Sequence, residues 1–238
     1  MAPAEFFQAK VRAARRRNAR WVRAIDIARL IPTSEGRARL WTLMVRRHEV
    51  HQTTPETGED RYPKLFNQVA SLRPNADRIL SFGCATGEEL AALRKRFLKS
   101  EIVGVEINPR SRAVAKKRMA GDRGIDVCDP RSLNGDFDVI LALAVLQREP
   151  HRIAHSGISD LTKEYPFARF DAAIHDLFRR LRQDGLLVVV HAHYPVELSS
   201  VMNGLEGLDD AVVPDRPMFD RLSRRIDGFP IRAIFRKR

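Results

Sequence analysis

Between residues 81 and 89 the chain reads Ser-Phe-Gly-Cys-Ala-Thr-Gly-Glu-Glu. Gly83 and Gly87 allow the backbone to turn tightly and to approach a ligand closely. Glu106 lies 106 − 87 = 19 positions after the second glycine. That is near the roughly 20 expected of an acid that accepts hydrogen bonds from both hydroxyls of a ribose. A dinucleotide bound here would need a pyrophosphate cradle, usually G-x-G-x-x-G. Ala85 stands where the middle glycine belongs, and Glu88 and Glu89 open the following helix. Two carboxylates there repel a pyrophosphate and suit a ligand that carries an ammonium group. Charge therefore favours S-adenosylmethionine, with its ammonium and sulfonium, over NAD.

Acid–base candidates lie further along. His191 and His193 follow the apolar stretch Leu186–Val190. Either can take a proton from a hydroxyl or an amine. The alternative is that one points into a sheet and the other into solvent. His48 and His51 flank a polar loop and reach the site if the N-terminal helices close over it as a lid. Tyr165, Arg169 and Tyr194 either line a substrate pocket or pack in the core. Cys84 and Cys128 are the two cysteines. They form neither a disulfide framework nor a metal-binding spacing, so reduced thiols and no metal are expected.

The elements that must position these residues follow from periodicity. Residues 5–31 have helical apolar spacing with arginines largely on the other face, and Pro32 ends that pattern. A second helix is expected from about Glu35 to Val50, then a loop at 51–61 and a helix from Pro63 to about Leu72. Residues 1–61 thus read as a helical extension and 62–238 as the main domain. From Arg78 strands and helices alternate: strand Arg78–Phe82, helix Glu88–Phe97, strand Glu101–Glu106, a helix capped by Asn108 with Pro109 at its first position, and a strand at Gly124–Cys128. Asp138–Val145 is apolar almost throughout, as in a strand buried on both faces. Helix Phe170–Leu181, a turn at Asp184-Gly185, strand Leu186–His191 and a final strand at Ile231–Phe235, parallel or antiparallel to the rest, complete the series. Alternation of this kind predicts an α/β, doubly wound, mostly parallel sheet with helices on both faces.

At these residues the sequence resembles the class I S-adenosylmethionine-dependent methyltransferases, over roughly Arg78 to His191. Ser81–Gly87 is similar to their first motif, Ile102–Glu106 to the second, Cys128-Asp129 to the third, Phe137–Leu146 to the fourth strand and Leu181–Val190 to the fifth. The wording of Gly83–Glu89 is nearest to the chemotaxis-receptor methyltransferases, whose substrate is not carried over because the remainder differs. The resemblance implies a Rossmann-like fold and S-adenosylmethionine as cofactor. By position it implies that Gly83, Cys84 and Gly87 lie against the methionine part, that Phe82 and Ala85 also bind the cofactor, that Glu106 holds the ribose, and that Ile107 packs on the adenine. Asp129, before Pro130, accepts from the adenine amino group or caps its own turn. Ala142 and Leu143 line the methionine side. Ser81 stands where many members have an acid, and Glu88 is the candidate to replace it.

The net charge of +12 admits acidic partners or nucleic acid. The arginines are spread along the chain, and no RNA-binding module or basic aromatic platform is evident. No apolar run reaches the ~20 residues of a membrane span, and a cytoplasmic protein is expected. The leading expectation is methyl transfer to a hydroxyl or amine of a small molecule. The alternatives are an RNA-directed methyltransferase or nucleic-acid-binding protein, an NAD-dependent oxidoreductase, and a cofactor-binding pseudoenzyme.

Overall fold

The computed structural model describes residues 32–52 and 58–238. The chain divides into two compact units, Met1–Arg47 and His48–Arg238. In the first, helix α1 (Ser34–Val45) starts where the Thr33 hydroxyl accepts from the Gly36 amide at 2.9 Å. It ends five residues before the expected Val50, because Arg46 leaves helical geometry at φ −123°. The amphipathic pattern at 5–31 falls outside the described residues.

The second unit holds a seven-stranded sheet of order β3-β2-β1-β4-β5-β9-β6. Its strands are β1 (Arg78–Phe82), β2 (Glu101–Val105), β3 (Ile125–Cys128), β4 (Phe137–Leu143), β5 (Leu181–Val190), β6 (Leu205–Gly207) and β9 (Ile234–Lys237). The first five run parallel, and β9 is antiparallel to both β5 and β6. Helices α2 (Pro63–Leu72), α3 (Glu88–Arg94), α4 (Pro109–Met119), α5 (Pro150–His155) and α6 (Phe167–Arg180) connect the strands, and β7 (Met218–Phe219) pairs with β8 (Arg225–Ile226) as a separate ribbon. This is the doubly wound, Rossmann-like α/β architecture expected from the alternation. Every residue of β4 is buried, as its unbroken apolar run requires of a central strand. The two faces of the sheet carry separate apolar cores, one including Phe137, Tyr165 and Phe170, the other Phe66, Leu90 and Ile102.

Several element ends differ from expectation. Asp184-Gly185 does not terminate anything: Asp184 takes φ +59° and the pair sits inside β5, where the register to β4 shifts. β5 therefore begins at Leu181 rather than Leu186. Helix α6 starts three residues early, because Pro166 can precede a first turn and the Ser223 hydroxyl accepts from the Phe167 amide at 3.0 Å. The segment Pro150–His155, to which periodicity assigns no element, forms a short helix. No described helix is long and apolar enough to cross a membrane.

Candidate functional site

The carboxyl ends of the parallel strands carry unusual backbone. Gly83 after β1, Ala144 after β4 and His191 after β5 all take positive φ, at +85°, +56° and +57°. Such conformations cluster where a fold aims groups at a ligand. The Gly83 and Cys84 amides both donate to the Val105 carbonyl, at 2.8 and 3.0 Å, which folds the turn back over β2. A Cβ on Gly83 would meet Val145 Cγ2 at 2.6 Å, so the turn needs glycine there for space as well as for φ. Ala85, at φ +48°, adopts a left-handed geometry despite its side chain, and its amide donates to Glu106 at 3.1 Å. The other Glu106 oxygen accepts from the Asn108 amide at 2.7 Å. Asn108 in turn caps α4 through the Arg110 amide. Burial raises the Glu106 pKa against these donors.

Below this turn lies a small cleft lined by Tyr62, Gly83, Cys84, Ala85, Glu89 and Leu143, among others. The two adjacent glutamates part company here. Glu89 turns inward, accepts from the Ser81 hydroxyl at 2.7 Å and lines the cleft. Burial pushes its pKa up to about 7, opposed by that hydroxyl and by Arg61. Glu88 instead accepts from Thr86 and pairs with Arg118 at 2.6 Å. The carboxylate beside Ser81 is thus Glu89, which sequence reasoning passed over in favour of its neighbour. Tyr62, at the start of α2, also went unremarked. Its hydroxyl is buried without a partner among the described residues, so a ligand group entering the cleft could satisfy it.

The remaining first-strand assignments fall as follows. Phe82 and Ile107 are half-buried at the ends of β1 and β2. Cys84 is buried, and burial together with Glu106 and Glu89 raises its thiol pKa well above the usual range. Ala142 is fully buried within β4, leaving Leu143 as the residue that borders the cleft. Asp129 caps its own turn, accepting from the Arg131 amide at 3.0 Å, and pairs with Arg112 at 3.0 Å. Pro130 opens that turn.

The histidines gather nearby. His191 Nδ1 accepts from the Arg216 guanidinium at 2.5 Å, since arginine can only donate. Its ring lies 5.8 Å from Tyr62. His193 is buried and its Nε2 donates to the Arg148 carbonyl at 2.9 Å, which leaves its lone pair on Nδ1. Burial lowers both pKa values to about 4, with Arg216 adding to the effect at each. His51 Nδ1 bonds the Tyr165 hydroxyl at 2.6 Å, and its ring stands edge-on to Phe82 at 6.2 Å. Arg169 lies over the Tyr165 ring at 5.7 Å. His51, Tyr165 and Arg169 therefore come together. His48 is exposed. Tyr194 packs in the core, with its hydroxyl donating to the Tyr165 carbonyl and lying within hydrogen-bond distance of the Ser223 hydroxyl. Arg148 and Arg216 were not foreseen, because nothing local marks an arginine that will be drawn inward from a distant loop.

Residues 44–211 match the methyltransferase-domain family. No curated protein matches the sequence. Among solved structures, the chain is similar to the N-methyltransferase NodS from Bradyrhizobium japonicum WM9, at 17% identity over 75% of this chain and 98% of that one, TM-score 0.47. It is also similar to CalS10, an amino pentose methyltransferase from Micromonospora echinaspora solved with S-adenosylmethionine bound, at 19% identity over 74% and 62%, TM-score 0.41. The sugar N-methyltransferase KedS8 from Streptoalloteichus sp ATCC 53650 aligns at 22% identity over 64% and 54%, TM-score 0.38. The chain thus spans less than two thirds of CalS10 and of KedS8. The match is to the general methyltransferase domain, so the likeness of Gly83–Glu89 to the receptor-directed enzymes stops at the turn, and the oxidoreductase alternative falls away. The chain belongs to the methyltransferase-domain family, that of the class I S-adenosylmethionine-dependent enzymes.

Proposed function

We propose that this chain transfers the methyl group of S-adenosylmethionine to an oxygen or nitrogen nucleophile of a small molecule. The observation that carries the reading is the left-handed Gly83–Gly87 turn set between two carboxylates, Glu106 above and Glu89 within the cleft. The carboxylates of Asp60 and Glu89 outnumber the one cation, Arg61, in the cleft lining, which suits a ligand with an ammonium end better than a pyrophosphate. When bound, S-adenosylmethionine supplies an electrophilic methyl group on a positively charged sulfur. Glu106 then holds the ribose hydroxyls, Ile107 packs on the adenine, and Asp129-Pro130 border it. Glu89 and Tyr62 bind the amino-acid end, beside Gly83, Cys84, Ala85 and Leu143. Glu88 stiffens the turn through Thr86 and Arg118 rather than touching the ligand.

With pKa values near 4, His191 and His193 are neutral at physiological pH. Each therefore acts as a hydrogen-bonding group that orients the acceptor. His193 offers the Nδ1 lone pair to the acceptor's hydroxyl or amine hydrogen, and His191 offers its Nε2–H. Alignment of nucleophile and methyl supplies most of the rate.

Calorimetric titration of the purified chain with S-adenosylhomocysteine and, separately, with NADH tests this. Micromolar binding of the first and none of the second is expected. Binding of NADH alone, or of neither, would overturn the reading.

A further inference from the structure

Arg216 reaches inward from the segment between β6 and β7 and connects two cavities. Its Nη1 donates to His191 Nδ1 at 2.5 Å, which leaves the histidine's proton on Nε2. The His191 ring stands 5.8 Å from that of Tyr62, which lines the cofactor cleft. Arg216 also lines a second cavity, between α5 and the β7–β8 ribbon, with Ala154, Asp215, Met218 and Phe229, among others. Only one corner of its guanidinium is used. Nε is buried without a partner among the described residues, and Nη1 alone carries the bond to His191. Nε–H and Nη2–H form the side edge of a guanidinium, two parallel donors spaced to match the two oxygens of a carboxylate. No described carboxylate meets that edge. Asp215 is exposed and lies near enough to raise the Arg216 pKa, but forms no ion pair with it. The other ions of the cavity satisfy each other, Arg225 pairing with Asp227 at 3.1 Å. Burial outweighs Asp215 and lowers the Arg216 pKa. The unmet donor therefore costs free energy that a bound acceptor group would recover.

We propose that this second cavity takes the methyl acceptor and that the acceptor carries a carboxylate, held side-on by Arg216 Nε and Nη2. The neighbouring Asp215 disfavours the second negative charge of a phosphate, so a monoanion fits better. The carboxylate then sits on the same guanidinium that fixes His191, whose Nε2–H orients the acceptor's nucleophile. This rests on the methyltransferase reading, to which it adds the chemical class of the substrate.

The test uses the full chain, titrated with S-adenosylhomocysteine and then, with and without the nucleotide, with benzoate, phenyl phosphate and neutral benzamide. Benzoate is expected to bind in the millimolar range, phenyl phosphate no more tightly, and benzamide at least about tenfold more weakly. Arg216→Gln should lose about tenfold or more in benzoate affinity, and Arg216→Lys, which keeps the charge but not the fork, should recover little of it. Neither should change the affinity for S-adenosylhomocysteine. Ala154→Trp, at an exposed position of the lining, fills the cavity and should also abolish benzoate binding; it decides the matter if Arg216→Gln fails to fold. Benzoate that binds no better than benzamide, binds more weakly than phenyl phosphate, or binds these variants as well as the parent overturns the proposal. So does a loss of S-adenosylhomocysteine affinity in Arg216→Gln while methylthioadenosine, which lacks the amino-acid end, binds as before; the fork would then belong to the cofactor's own carboxylate. Failure of S-adenosylhomocysteine to bind the parent strikes instead at the methyltransferase reading, while the benzoate titration without nucleotide still reports on Arg216.

Discussion

The two ends of one sheet treat charge in opposite ways. At the amino end of β4, Asp138 is buried yet accepts from the amides of Asp77 and Arg78 at 2.9 Å each, from Arg182 at 2.9 Å, and faces Arg73 at 3.6 Å. Burial alone would raise its pKa, but these amides and the Arg182 guanidinium hold it below the usual value. At the carboxyl end the balance reverses: Glu89 rises to about 7, three histidines fall to about 3 to 4, and Arg148, Arg169 and Arg216 are desolvated. One end is electrostatically complete and serves the fold. The other gathers partly desolvated ionisable groups, the setting in which ligand sites cluster.

Substitutions can break or sharpen that contrast. Asp138→Ala should have the largest effect, a loss of about 2–3 kcal/mol in urea denaturation, because two backbone amides lose their acceptor while the partly exposed Arg73 and Arg182 side chains can turn to water. Its affinity for S-adenosylhomocysteine should be unchanged; weakened binding at unchanged stability would erase the distinction between the two ends. Glu106→Ala should do the reverse, weakening nucleotide binding by about tenfold or more, roughly 1.4 kcal/mol, with a smaller change in stability. Unchanged affinity in a calorimeter would remove Glu106 from the site.

Glu89→Gln should stabilise the ligand-free chain while impairing cofactor binding. The folded pKa of Glu89, about 7, lies above its unfolded value near 4.5. Its ionisation therefore opposes folding increasingly as pH rises from about 4.5 to 7 and fully above that. Thermal melts should show a gain of roughly 1 kcal/mol for Glu89→Gln at pH 8, reduced from the full shift for solvent screening, that disappears toward pH 4.5. A gain independent of pH would refute the assignment. Ala85→Gly should change least, stabilising by no more than about 1 kcal/mol, since relief of the left-handed φ is offset by added freedom in the unfolded chain.

Legibility in the sequence followed the range of the interactions. The glycine turn, the Asn108 cap and the buried β4 are written in a few adjacent residues, and each formed as read. The choice between Glu88 and Glu89 was not legible, because both occupy the first turn of α3 and only packing against Ser81 separates them. Asp184-Gly185 looked like a stop signal, yet pairing with β4 and β9 carries the strand through it. The two-residue strands β7 and β8 offer too little pattern to detect. The Arg148–Arg169 pair depends on three segments, near residues 50, 148 and 169, that meet only in the fold.

The left-handed residues at the strand ends set terms for anyone wishing to re-engineer the acceptor range. The Ala144 amide donates to the Val190 carbonyl at 2.8 Å, so the exits of β4 and β5 are fastened to each other. Library diversity placed at Gly83, Ala144 or His191 would spend most of its members on chains whose backbone cannot make the turn, β-branched residues above all. Diversity at Tyr62, which borders the cleft with an ordinary negative φ, leaves those exits intact.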